Sequence, residues 1–246
     1  MNARGRLERR WFGLPPARSA LIESDAWMVA ADGARLATRV LRPADPSARR
    51  GAVLIRSERP LAAGRARSPV LRLARWLAED GRTVAVQSCR GRGDSEGEFR
   101  PFADEAADGA QALRWIADQP WFDGELVLVG IGYSAFAAWA ALSAATVPIA
   151  ALAAGFGARD PYAWLYPGGV LQLEAALALA ARLDRRTGHD PGALDLARAG
   201  RHRPLRECDR VALRELTAYR EWIAHPERDA WWRDRTPAIP DPPPPT

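Results

Sequence analysis

The chain has 246 residues, 48% of them hydrophobic, and a formal charge of +5, enough to bury one full core or a core with a cap. Its longest apolar runs, such as residues 149–156, are too short to cross a bilayer, so no membrane span is expected. All 35 basic residues are arginine, interspersed with 30 acidic ones, and alanine is abundant; this fits a GC-rich coding bias rather than phosphate contacts, and nucleic acid is not expected as a partner. Cys89 and Cys208 are too few for a disulfide framework. No apolar leader core precedes Trp11. A cytoplasmic location is expected.

Residues 1–24 read as an arginine-rich lead-in without a clear period. Residues 27–30 and 35–41 read as strands joined by Asp32-Gly33, where a tight hairpin turn wants positive φ. A short apolar strand over 52–56 follows. Helix and strand then alternate: helix 70–77, strand 83–87, helix 106–116, strand 125–129, helix 134–142, and a last strand running from Ile149 to Ala154. Such alternation predicts right-handed crossovers and a mostly parallel sheet flanked by helices, an α/β fold. Beyond Gly155 only helical patterns appear, at 170–183 and 211–223. The expected organisation is a lead-in over 1–24, an α/β core over 25–156, a helical cap over 157–235 and a Pro-rich tail over 236–246.

Residues 125–143 read ELVLVGIGYSAFAAWAALS: a strand, a glycine turn and a helix of small residues. This is the layout of a nucleophile elbow, which lifts one side chain above the sheet and aims the next N–H at a developing oxyanion. The pattern G-x-S-x-G does not fit in either register. Counted from Gly130, the serine slot is Gly132; counted from Gly132, it is Ser134, with Phe136 in place of the closing glycine.

Several segments resemble the X-Pro dipeptidyl peptidase and cocaine esterase family of α/β-hydrolases. They are Arg90 through Phe99 (RGRGDSEGEF), Gln119-Pro120-Trp121 with Asp123-Gly124, Asp160-Pro161-Tyr162, Gly168-Gly169, and His225-Pro226 with Asp229 and Trp232. The resemblance covers residues 27–235 and implies a partial α/β-hydrolase fold with a helical cap, lacking the last core strands and the C-terminal jelly roll. Aligned without gaps from Trp121, it puts Gly132 on the nucleophile and Tyr133 on the residue whose backbone N–H is the oxyanion donor. The resemblance implies a second oxyanion donor, a tyrosine in an R-x-P-Y-type segment after the first long core strand; here Arg59-Pro60 is followed by Leu61, which cannot donate. It also implies that the loop from Arg90, including Asp94 and Glu98, braces the turn beside the elbow.

The resemblance further implies that the catalytic acid and histidine lie on later strands; His189, His202 and His225 all fall in the cap region. The expected function is therefore a relative of acyl, ester and peptide serine hydrolases, impaired by itself and acting as a binding or partner subunit. The alternative is an active hydrolase of esters or peptide-like amides that uses Ser134 or is completed by a partner chain. The Ile149 to Ala154 strand would be a bare sheet edge, open to three covers: the cap helices, a second copy or a separate protein; obligate association with one of the latter two is expected. A small acyl or peptide-like ligand is a further expected partner. No cofactor and no metal are expected; His189-Asp190 has no companion cluster at ligand spacing.

Overall fold

The computed structural model describes residues 3–59, 61, 68–184 and 194–239. The His189-Asp190 pair, Pro60 and the prolines of 242–245 lie outside the described residues. The chain divides into two compact units, one of residues 1–99, 105–157 and 239–246, the other of 100–104 and 158–238.

The first unit is built on six strands: β1 (Leu21–Val29), β2 (Arg35–Pro43), β3 (Ala52–Ser57), β4 (Thr83–Ser88), β5 (Leu126–Ile131) and β6 (Ala151–Gly155). Their order is β1-β2-β4-β3-β5-β6. The two pairings of β2 are antiparallel, and the other three are parallel. β3 and β4 are buried along their whole length, which explains their near-continuous apolar and β-branched sequences. β5 alternates. Leu126 and Leu128 pack with Leu113 and Ile116 of α3 (Glu105–Ala117) and Leu142 of α4 (Tyr133–Ser143). Val127 and Val129 turn to the opposite face, towards α2 (Pro69–Glu79), whose Leu71, Ala74 and Ala78 are buried. The start of α2 is fixed by the Ser68 side chain, which accepts from the Leu71 N–H at 3.4 Å, and by Pro69 at a helix position that needs no N–H.

β6 ends the sheet; among the described residues it pairs with β5 alone. Ala153 and Ala154 are exposed.

The lead-in read as aperiodic contains a helix, α1 (Ala3–Trp11), and the first residues of β1. β1 is an edge strand exposed on most positions, so its sequence has no apolar alternation; Glu23 and Asp25 instead reach Arg75 at 2.6 Å and Arg39 at 2.8 Å. Among the α1 residues whose side chains are described, the buried one is Arg9, which donates to Glu79 at 2.9 Å and to the Pro15 carbonyl at 2.7 Å. Leu7 and Trp11 face outward, which hides the helix from a search for an inward apolar stripe.

The second unit is helical: α5 (Pro161–Leu165), α6 (Leu173–Leu183), α7 (Leu196–Arg201), α8 (Cys208–Ala212), α9 (Thr217–Ala224) and α10 (Ala230–Arg233). Its centre holds Tyr219, Trp222, Trp232 and Phe102, with the Phe102 ring 5.8 Å from Trp222 and 6.4 Å from Trp164. The helix expected over 170–183 starts at Leu173, after a turn at Pro167–Gly169. The single helix expected over 211–223 is two helices. Buried Asp209 causes the break: its carboxylate accepts from the Leu216 N–H at 2.9 Å and from Arg220 Nε at 2.7 Å, turning the chain between α8 and α9. Burial pushes this carboxyl up, but the Arg220 guanidinium and the backbone N–H groups outweigh it and hold it below the ordinary carboxylate range. No helix among the described residues is long and apolar enough to cross a membrane.

Candidate active site

The turn between β5 and α4 is tight. Gly132 stands at φ 66° and ψ −125°, outside the regions open to most residues. Its N–H donates to the Gly155 carbonyl at 2.9 Å, and its carbonyl accepts from the Ala135 N–H at 3.1 Å. The neighbours must be small. A Cβ at Gly130 would fall on the backbone of Ser134 and Ala135, and one at Gly157 on the Gly132 carbonyl. A Cβ at Gly132 itself would meet no described heavy atom within 4 Å. The turn is thus packed hard beneath and open at one point.

Tyr133 begins α4, with its backbone at the helix N-terminus. Its side chain is buried; the hydroxyl donates to the Glu105 carboxylate, and the ring lies 5.5 Å from Phe99 and 5.8 Å from Phe136. Ser134 points into the protein and is 3% exposed; its hydroxyl donates to Glu58 at 3.3 Å. His202 lies 3.5 Å from Glu207, and His225 lies 2.6 Å from Asp229 and stacks on Trp231; all five residues belong to the helical unit. Leu61 is a core residue, packed with Leu41, Ile55 and Leu71. Cys89 is fully buried, and burial pushes its thiol up, so it offers no thiolate. Among the described residues, no group of three or more His, Cys, Asp or Glu side chains could hold a metal ion.

Beneath the elbow lies a buried ionic network that the sequence reading missed. Arg56, at the end of β3, is 2% exposed. It donates to the Glu105 carbonyl at 2.7 Å and to Gln87 at 3.0 Å, and its guanidinium lies 3.5 Å from Asp108. Asp108 also accepts from Arg90 at 2.6 Å, and Arg90 reaches on to Asp32 at 2.7 Å. The signal for Arg56 was present: a lone charge at the C-terminal end of an apolar parallel strand, where α/β sites gather.

The loop from Arg90 to Phe99 packs against the elbow through Phe99, whose ring also carries Arg92 at 4.2 Å. Its carboxylates act differently from the expectation. Asp94 and Glu98 are exposed; the bracing carboxylate is Glu96, which accepts from the Arg35 N–H at 3.0 Å and side chain at 2.9 Å. Ser95 adds a second tie, accepting from the Ala37 N–H and donating to the Ser88 carbonyl, both at 2.9 Å.

A model of the X-Pro dipeptidyl-peptidase (S15) family matches residues 32–240, a span that takes in the elbow and the loop from Arg90. The chain belongs to the S15 family. A curated relative, the cocaine esterase of Rhodococcus sp. (strain MB1 Bresler), is 37% identical over 110 residues, 43% of this chain and 19% of that protein. Among solved structures, an aminopeptidase from a marine sediment Thaumarchaeota archaeon matches 90% of this chain with a TM-score of 0.69 at 17% identity. A CocE/NonD family hydrolase from Staphylococcus aureus matches 89% with a TM-score of 0.64 at 20% identity. At these identities the structures show the fold: a partial α/β-hydrolase with a mostly parallel sheet. The chain spans 41% and 39% of those two structures' lengths, and the S15 assignment places it among ester and peptide hydrolases.

Proposed function

We propose that this chain is an S15-family hydrolase relative whose elbow carries no nucleophile, and that it serves as a binding or partner subunit. The observation that carries the reading is Gly132. It combines a strained turn conformation between strand and helix with open space where a side chain would stand. In this reading the Tyr133 N–H keeps the oxyanion position, and aliphatic Leu61 stands where a second donor is needed. Losing a serine nucleophile costs on the order of a million-fold in kcat. Ser134 is an unsuitable substitute: it is buried and bonded to a carboxylate.

Incubation with a fluorophosphonate probe should leave the chain unlabelled, and p-nitrophenyl acetate should turn over at the rate of a Gly132→Ala control. Labelling of Ser134, or turnover abolished by Ser134→Ala, would instead support the active alternative.

The partner role rests on the β6 edge. Ala153 and Ala154 are exposed, and Phe156 just beyond them is 95% exposed. An apolar open edge invites a further strand, supplied by a second copy or a separate protein that could also bring the acid and histidine. Light scattering on the purified chain should report a mass of at least two copies, or a stable complex with a co-purified protein; a well-behaved monomer across micromolar concentrations counts against the role. Two buried thiols without a bridge, Cys89 and Cys208, suit the reducing cytoplasm.

A further inference from the structure

On the α2 face of the sheet, a cavity of about 440 Å³ lies beside the elbow, within the size range of small-molecule sites. Its walls are apolar: Phe12, Val70, Leu73, Trp76, Val129 and Ile131. Phe12 and Trp76 form a continuous aromatic wall, with ring centroids 5.0 Å apart.

Three charged side chains line it, and their arrangement is informative. The Glu58 side chain is 8% exposed. Among the described residues it has the Ser134 hydroxyl at 3.3 Å and Arg59 Nε at 3.5 Å, both long. A buried carboxylate has about four acceptor positions, and leaving them unfilled is costly. Glu58 therefore has capacity for a strong donor. Arg59 beside it is 54% exposed, so its guanidinium fork is largely open; Arg72 is 41% exposed and meets Glu8 at 3.3 Å.

A buried anion and a half-exposed cation 3.5 Å apart complement a molecule that carries opposite charges equally close together. We propose that this cavity binds a small apolar zwitterion of the α-amino acid type. The ammonium group lies on Glu58, the carboxylate on Arg59, and the apolar side chain against Trp76, Leu73 and Val129. A purely anionic ligand would leave Glu58 unsatisfied and face it at close range. A purely cationic one would face Arg59 and Arg72. The zwitterion satisfies both partners, and the binding is independent of whether the elbow carries a nucleophile.

Isothermal titration calorimetry of the full chain tests this with three probes of the same apolar body: L-phenylalanine, 2-phenylethylamine and 3-phenylpropanoate. Saturable binding of L-phenylalanine is expected, at least tenfold tighter than either single-charge analogue. Glu58→Gln should weaken it at least tenfold, and Leu73→Trp, which fills the cavity, should abolish it; thermal unfolding of both variants checks that they fold. Absence of saturable heat with L-phenylalanine overturns the proposal. So does 3-phenylpropanoate binding as tightly as L-phenylalanine while Glu58→Gln has no effect.

Discussion

Replacing Arg56 by alanine will destabilise the first unit by about 3–5 kcal/mol, the range for removing one partner of a buried ion pair. The cost comes from what stays behind. Glu105 and Asp108 are each at most 2% exposed. Asp108 retains Arg90, and Glu105 loses the guanidinium that lies 3.9 Å from its carboxylate. Two buried carboxylates beside the elbow would then keep their charge with one cation fewer to balance it. Urea unfolding of wild type and variant measures the effect. A loss below about 1 kcal/mol would mean that the guanidinium is not what balances the network.

The second large effect concerns the elbow backbone. Gly130→Ala should cost upwards of about 3 kcal/mol, because overpacking against immobile atoms is relieved only by backbone shifts. Its Cβ would sit closer than 3.0 Å to the Ser134 carbonyl and the Ala135 nitrogen, so α4 has to move off β5. Gly132→Ala, two residues on, should cost only about 1–2 kcal/mol, the lower part of the range for one strained residue. Its φ of +66° is unfavourable for alanine, but the space above it is open. The contrast between the two glycines is the test, read from denaturation midpoints side by side. If both substitutions cost the same, the open space above Gly132 is not real.

Strands β3, β4 and β5 were legible to within two residues because burial on one or both faces imposes runs such as AVLI and TVAV. Helices α2, α3 and α4 were legible for the same reason. α1 and the start of β1 were not. There, inward contacts are made by Arg9, and strand positions are held by Glu23 and Asp25 at the surface, so pairing left no hydrophobic period. The break between α8 and α9 was hidden because Asp209 acts through hydrogen bonds that a helical stripe of leucines does not reveal. At the site, the glycine turn and Tyr133 were visible, since an elbow needs small residues at fixed offsets. Arg56 and Glu58 carry no such pattern: they stand at and just beyond the end of an apolar strand, and only their burial marks them as part of the site.

The helical unit takes in residues 100–104, and this bears on how the chain is made. Phe102 leaves the ribosome well before its ring partners Trp164 and Trp222. At synthesis rates of roughly 5–20 residues per second, it waits on the order of ten seconds for Trp222. The aromatic centre of the helical unit is therefore closed only once α9 has been made, long after every strand of the first unit has left the ribosome. The segment that begins this unit is synthesised in the middle of the other, so the helical unit cannot finish folding as a separate module until its last helices arrive.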